Sequence, residues 1–129
     1  MSEAHTGSCL CGAVRVTVDG PLSPPDACHC GQCRKQSGHY WASTDVDRER
    51  VTIAGEDQLS WYQSSEKVRR GFCRICGSFL LWDPPGRKSL AIAMGCFDAP
   101  TDTQLHMHIY TADKGDYYAI ADGLPQNAQ

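Results

Sequence analysis

The sequence has no hydrophobic run long enough to cross a membrane. Its longest apolar stretches are residues 79–82 and 90–94, whereas a spanning helix needs about 18–20 apolar residues. The first residues, from Met1 to Thr6, are polar and lack the basic and then apolar pattern of a secretory signal. From these two absences we expect a cytoplasmic protein without a membrane partner.

The sequence also lacks an excess of positive charge. It carries 15 acidic and 12 basic side chains, a formal net charge of −3, and these charges form no run of one sign. Proteins that bind nucleic acids usually present a clustered basic face. We therefore expect no nucleic acid among the partners of this protein.

A long apolar period of 3.6 residues is absent as well. The 12 glycines and 7 prolines divide the chain into short segments, most of which alternate as strands do. This pattern predicts strands at residues 13–18, 40–44, 50–53, 59–63, 66–72, 78–82, 89–94, 105–110 and 116–120, and one short helical turn at 32–37. The predicted fold class is therefore all-β or mostly β, as a sandwich or open barrel. The length of 129 residues predicts a single domain over residues 1–129, with an ordered core at about 7–125.

What the sequence does contain is cysteine, at positions 9, 11, 28, 30, 33, 73, 76 and 96. Eight cysteines in 129 residues amount to about 6%, below the 8–10% that marks short disulfide-rich chains. Cysteines separated by one or two residues suit a shared metal ion better than structural disulfides. In a reducing compartment such clusters are typical of metal ligands or catalytic thiols.

Two of the cysteine pairs suggest one closed metal site. Cys73 and Cys76 form a Cys-x-x-Cys motif followed by a glycine, which permits the left-handed backbone that closes such a turn. Cys9 and Cys11, also followed by a glycine, offer a matching half. Together they predict a structural zinc site with four sulfur ligands. The alternative for Cys73 and Cys76 is a redox dithiol.

The third cluster places Cys28, Cys30 and Cys33 within six residues. Three protein ligands and an open fourth position are typical of a catalytic zinc. Two alternatives stay open: His29 as a fourth ligand, which would close the site, or a redox-active or metal-free group of thiols. A zinc with three thiolates has a net charge of −1, so an incoming thiolate makes it −2. We expect Arg34 and Lys35, which follow Cys33 directly, to ease that step, although solvated surface is the more common fate of such residues.

The remaining cysteine and two histidines carry weaker signals. Cys96 is isolated and is expected to be a small buried side chain rather than a ligand or a resolving thiol. In the strand predicted at 105–110, His106 and His108 alternate with apolar residues. We expect the two histidines on the outward, exposed face.

Residues 7–14, 28–38, 62–65, 70–78 and 108–110 together resemble the glutathione-dependent formaldehyde-activating enzymes, a family that includes the centromere protein V group. The resemblance extends over roughly residues 7–125. It implies a zinc-bound β-sandwich of several short antiparallel sheets, related to the fold of B-type methionine sulfoxide reductases. It implies two Zn²⁺ per chain: a structural ion at Cys9, Cys11, Cys73 and Cys76, and a second, catalytic-type ion at Cys28, Cys30 and Cys33.

The resemblance also implies an activity. Members of the family are described as joining formaldehyde and glutathione into S-hydroxymethylglutathione, a reaction of the carbon–sulfur lyase class. The leading hypothesis is a zinc-dependent carbon–sulfur lyase-like enzyme that acts on adducts of an aldehyde and a small thiol such as glutathione. The alternative is a non-catalytic zinc β-domain that binds or carries glutathione or another thiol. A reductase of methionine sulfoxide would need a reactive cysteine outside the metal sites, and only Cys96 remains for that role.

Overall fold

The computed structural model describes residues 3–129, so that Met1 and Ser2 of the polar N-terminal segment lie outside the described residues. The elements are β1 (Ala4–Ser8), β2 (Arg15–Asp19), β3 (Asp26–Cys28), α1 (Gly31–Ser37), β4 (Trp41–Asp47), β5 (Val51–Ala54), β6 (Leu59–Gln63), β7 (Arg69–Cys73), β8 (Phe79–Asp83), β9 (Ser89–Ala93) and β10 (Met107–Ile109). Single 3₁₀ turns lie at Arg48–Arg50, Glu56–Gln58, Met94–Cys96 and Thr111–Asp113. The predicted fold class, mostly β, is confirmed.

The strands form two sheets that share one core. The smaller sheet has the order β1-β2-β5, and the larger sheet has the order β10-β3-β4-β9-β8-β7-β6. The named strand pairs are antiparallel except for β10 and β3, which are parallel. Val16 and Val18 of β2 pack in one cluster with Leu81 of β8 and Ile92 of β9. Full burial of each such side chain contributes about 1.5–3 kcal/mol, so this contact holds the two sheets together.

Most of the predicted strands are present. Strand β6 has the predicted bounds, and α1 begins one residue before the predicted helical turn. The segment predicted as a strand at 116–120 is not one: its backbone is held by the Lys114 ammonium, which donates to the Tyr118 carbonyl over 2.6 Å. The sequence pattern did not predict β1, which is mostly polar, or β3, which has only three residues. No helix in residues 3–129 combines the length and apolar character that a membrane span requires.

The expectation that the strand histidines face outward is wrong for His108. Its side chain is only 3% exposed, whereas Met107 and Ile109 are half-buried and His106 is exposed. Strand β10 is covered by the chain after it, because His108 forms an isolated bridge with Gln126. The polar ring is tolerated inside because both of its nitrogens have hydrogen-bond partners.

Candidate metal sites and the adjoining cavity

The first group of thiols, here called the four-cysteine cluster, consists of Cys9, Cys11, Cys73 and Cys76, which could hold a metal ion. Their sulfurs lie within 4.8 Å of one another, with 3.7 Å between Cys9 and Cys11 and 3.8 Å between Cys11 and Cys73. A tetrahedral zinc with bonds of about 2.3 Å separates its sulfurs by about 3.8 Å, whereas a disulfide bond measures about 2.05 Å. The spacing therefore fits zinc.

Local backbone geometry turns these sulfurs toward one another. Gly12 and Gly77 have φ angles of 83° and 82°, the left-handed conformation that the sequence predicts at these turns. The Val14 amide donates to Cys9 Sγ over 3.3 Å, and the Ile75 amide donates to Cys73 Sγ over 3.4 Å. Hydrogen bonds from amides favour thiolates. The cluster thus joins the turn between β1 and β2 to the turn that follows β7.

The second group, here called the three-cysteine cluster, consists of Cys28, Cys30 and Cys33, whose sulfurs also lie within 4.8 Å of one another. Cys28 ends β3, Cys30 caps α1, and Cys33 lies in its first turn with an amide that donates to Cys30 Sγ over 3.4 Å. The pKa of Cys30 is lowered because its sulfur accepts hydrogen bonds from Cys28 and then from Cys33, and the charge of Arg70 adds to this. The donor set suits zinc and leaves one tetrahedral position without a protein ligand in this group.

The three-cysteine cluster opens onto a cavity of about 660 Å³. Trp41, Ser43 and Asp45 line its base, because alternate residues of β4 face the same side of the large sheet. Trp82 and Ile109 add apolar walls. The cavity is large enough for a small organic ligand, and such a ligand would touch the sulfurs.

Among residues 3–129, Arg70 of β7 is the cation that forms a hydrogen bond with one of these sulfurs. Its Nη1 lies 3.5 Å from Cys33 Sγ and 3.4 Å from Gln36 Oε1, and its Nε donates to Ser64 Oγ over 3.3 Å. The residue is only 4% exposed and lines the cavity. A buried guanidinium needs a compensating negative charge, which thiolates of the cluster would supply.

Arg34 and Lys35 lie outside the lining of this cavity. Arg34 lies near the Tyr118 hydroxyl, whose pKa its charge lowers against the larger raising effect of burial. Lys35 is exposed and borders a second depression of about 480 Å³ beyond Arg70. The cation in contact with the cluster is thus Arg70, and the role of Arg34 and Lys35 stays a prediction.

A chain of hydrogen bonds with two buried histidines at its centre lies next to the three-cysteine cluster, at His29. Asp122 Oδ2 lies 2.7 Å from His108 Nε2, His108 Nδ1 lies 2.9 Å from His29 Nε2, and His29 Nδ1 contacts the Tyr118 hydroxyl. His29 is completely buried, and its pKa is lowered to about 4, first by burial and then by His108. Both of its ring nitrogens have protein partners, so the alternative of His29 as a metal ligand does not fit.

Two carboxylates are part of the cavity wall. Asp26 of β3 and Asp45 of β4 both line the cavity. Burial raises the pKa of each group, and in Asp26 the neighbouring charge of Asp45 raises it further. Sequence reasoning missed this pair and Arg70, because no local spacing marks them and only the strand register brings them to one cavity.

Cys96 stays outside both clusters. Its pKa is raised to about 12, chiefly by burial and secondly by the charge of Asp98. The residue is half-buried and packs against the main core, so it is less buried than the sequence predicted. A thiol in this state is a poor nucleophile.

Comparisons with known proteins agree with the sequence resemblance. Residues 4–113 match the family model described as glutathione-dependent formaldehyde-activating enzyme. A Halomonas elongata protein named "Putative glutathione-dependent formaldehyde-activating enzyme" is 36% identical over 87 residues, which cover 60% of this chain and 55% of that protein. An uncharacterized lyase of Schizosaccharomyces pombe is 24% identical over 123 residues, which cover 92% of this chain and 86% of that one. The chain therefore spans little more than half the length of the Halomonas relative.

A solved structure has a similar architecture. The crystal structure of a Rhodobacter sphaeroides protein aligns with a TM-score of 0.62 and 20% sequence identity, covering 78% of this chain and 98% of that chain. At this identity the similarity concerns the fold alone. It supports the arrangement of short sheets described above.

Proposed function

The chain belongs to the glutathione-dependent formaldehyde-activating enzyme family, and we propose that it is a carbon–sulfur lyase-type enzyme that joins a small thiol to an aldehyde. In the forward direction the thiol sulfur adds to the carbonyl carbon, and the proton of the thiol moves to the carbonyl oxygen, which gives a hemithioacetal. The reverse reaction breaks the same carbon–sulfur bond. Glutathione and formaldehyde are the substrates that the family description suggests.

One observation carries this proposal: the three-cysteine cluster opens onto a cavity instead of being enclosed. A metal site with three protein ligands leaves a position for a substrate atom. A zinc ion held by Cys28, Cys30 and Cys33 would favour the thiolate form of an incoming thiol or polarise an aldehyde oxygen. The four-cysteine cluster supplies all four ligands itself, so we assign it a structural role.

Arg70 supports the same reaction by balancing charge. Each added thiolate increases the negative charge beside Cys33, and the Arg70 guanidinium lies 3.5 Å from that sulfur in a buried position. Charge-assisted contacts are stronger where water is excluded. Trp41 and Trp82 give the cavity apolar walls. We propose that Arg70 stabilises the thiolate and holds it toward the cluster.

The proposal also covers the metal content, the domain organisation and the cellular location of the protein. We propose two zinc ions per chain, a single domain over residues 1–129, and residence in the cytoplasm. Reducing conditions there keep clustered thiols available as ligands. Zinc analysis of the purified chain tests the first of these points directly.

The activity is tested by the rate at which formaldehyde exchanges with S-hydroxymethylglutathione. Exchange spectroscopy with carbon-13 formaldehyde measures this rate at equilibrium, with the uncatalysed addition as background. We expect the zinc-loaded protein to accelerate exchange and Cys30→Ser to return it to background. Arg15→Ala is the control, because Arg15 is an exposed residue of the small sheet and does not line the cavity.

The same measurement separates an enzyme from a carrier. Binding of glutathione at the cluster with an exchange rate equal to background would contradict the enzyme proposal. The non-catalytic zinc β-domain would then be the correct description. Acceleration that persists in Cys30→Ser would contradict the assignment of the three-cysteine cluster.

A further inference from the structure

We propose that Asp26 and Asp45, here called the acidic pair, form a specificity subsite for the ammonium group of the thiol substrate. The subsite would select thiols with a free α-amino acid group at a distance from the sulfur, as in a γ-glutamyl thiol. This inference rests on the proposed function, because it assumes that the thiol sulfur lies at the three-cysteine cluster.

The strand register places the acidic pair on the same face as the cluster. Asp26 and Cys28 are two residues apart on β3, so their side chains share a face and lie about 7 Å apart along the strand. Asp26 pairs with Ser43 of β4, and Asp45 follows Ser43 by two residues. Asp26 and Asp45 are therefore diagonal neighbours, about 7–8 Å apart at their backbones. Both carboxylates line the cavity.

In the described part of the chain, the charge of His106 lowers the pKa of Asp26 and the charge of Arg87 lowers the pKa of Asp45, but neither contact is an ion pair. Neither Asp26 nor Asp45 takes part in an ion pair there, and neither accepts a hydrogen bond from another side chain. Asp26 is half-buried and Asp45 is exposed, and two neighbouring carboxylates repel each other unless a cation lies between them. An ammonium group with three donors satisfies both carboxylates at once.

Arg87 makes the subsite suitable for a zwitterion rather than a simple cation. It lines the same cavity, and its charge lowers the pKa of Asp45 without forming an ion pair among residues 3–129. The guanidinium of Arg87 lies over the Trp82 ring at 5.5 Å from its centroid. An α-amino acid group presents an ammonium and a carboxylate on one carbon. The acidic pair fits the ammonium, and Arg87 fits the carboxylate.

The distance between the acidic pair and the sulfurs determines which class of thiol can reach both. A cation between the two carboxylates would lie roughly 7–11 Å from the cluster, given the strand rise and strand spacing. The amino group of free cysteine lies within about 4 Å of its own sulfur and cannot reach both positions. A γ-glutamyl group attached to a cysteine residue extends over the longer distance. The cavity of about 660 Å³ accommodates a ligand of this size.

Binding measurements on the zinc-loaded protein test this inference. Glutathione is compared with N-acetylglutathione, which has the same thiol and carboxylates but no ammonium group, by isothermal titration calorimetry. We expect the wild-type protein to bind glutathione about tenfold more tightly, corresponding to one partly buried ion pair. In the double variant D26N/D45N this preference disappears through weaker glutathione binding, while N-acetylglutathione binds as before.

Asp47→Asn is the matched control. Asp47 also lies on β4, but it pairs with Lys88 over 3.4 Å and does not line the cavity. The preference for glutathione should persist in this variant. Equal affinity of the wild-type protein for the two thiols would overturn the inference, as would equal weakening of both thiols in D26N/D45N.

The binding test and the exchange test can fail independently of each other. If the protein accelerates formaldehyde exchange but binds both thiols equally, the proposed function stands and the acidic pair is not a subsite. If it prefers glutathione through the acidic pair but leaves exchange at background, the subsite stands and the enzyme proposal fails. Loss of both effects overturns both proposals.

Discussion

Nη1 of Arg70 lies 3.5 Å from Sγ of Cys33, and the arginine is only 4% exposed. Arg70 takes part in no ion pair with a carboxylate in residues 3–129. Its positive charge therefore faces the sulfurs of the three-cysteine cluster and the cavity beside them. This contact joins β7 to α1, two elements that are distant in sequence.

Replacing Arg70 should weaken thiol binding more than replacing the cations next to the cluster in sequence. We expect Arg70→Met to reduce glutathione affinity by about tenfold or more, because a charge-assisted contact contributes about 1.5–3 kcal/mol. Arg70→Lys should retain part of the affinity. The combined change of Arg34 and Lys35 to alanine should have a smaller effect, since neither lines the cavity. Calorimetric titration measures all three.

The stability and zinc content of each Arg70 variant should equal those of the wild-type protein, so that a change in affinity is not due to unfolding or loss of metal. Arg15→Met, on the exposed surface of β2, should bind glutathione as the wild-type protein does. A larger loss of affinity in the Arg34 and Lys35 variant than in Arg70→Met would show that the sequence-based assignment of these cations is correct.

The thiols should divide into two classes on alkylation. With two zinc ions bound, we expect the seven clustered thiols to be protected and to react at neutral pH only after a chelator removes the metal. Cys96 should react slowly even then, because burial raises its pKa to about 12 and little thiolate forms near pH 8. Its reactivity should increase as the pH rises toward that value or when the chain unfolds.

Mass spectrometry of the alkylated protein, with atomic absorption for zinc, measures these reactions. Rapid modification of Cys96 in the folded protein near pH 8 would contradict its raised pKa. Disulfides among the cysteines of the four-cysteine cluster after reducing purification would contradict the metal assignment.

The two clusters should differ in their contribution to folding. Cys9→Ser or Cys76→Ser should unfold the chain or prevent its expression, because zinc binding at a structural site contributes directly to the free energy of folding. This site joins turns of two sheets. Cys30→Ser should lose one zinc and the activity but keep the β-sheet signal in circular dichroism. Equal loss of thermal stability in both kinds of variant would contradict the division of roles.

Removing the buried His29 ring should destabilise the chain. His29→Leu leaves His108 Nδ1 and the Tyr118 hydroxyl without their partner, and each unsatisfied buried polar group costs about 1–3 kcal/mol. Tyr118→Phe removes a single hydroxyl and should cost less. Urea unfolding with excess zinc measures the free energy of unfolding. His5→Gln, on β1, is the control, and a change of less than about 0.5 kcal/mol in His29→Leu would contradict the importance of this network.

Local spacing was sufficient to predict the turns that bring the thiols together. Cys73 and Cys76 with Gly77, and Cys9 and Cys11 with Gly12, are contained in a few residues each, and the left-handed φ angles of both glycines follow from the turn itself. The alternation of the strands predicted the fold class for the same reason, because a two-residue period is a local property.

Tertiary structure alone decided which charged and polar groups surround the three-cysteine cluster. Arg70 reaches Cys33 because β7 and α1 meet in space, and the acidic pair shares a face with Cys28 because β3 and β4 pair in one register. His108 turns inward because chain following β10 covers it. No short-range pattern encodes these contacts, since each depends on strand pairing between distant segments. The sequence by itself thus determined which thiols cluster and the strand content, while the packing of the sheets determined the electrostatic surroundings of those thiols.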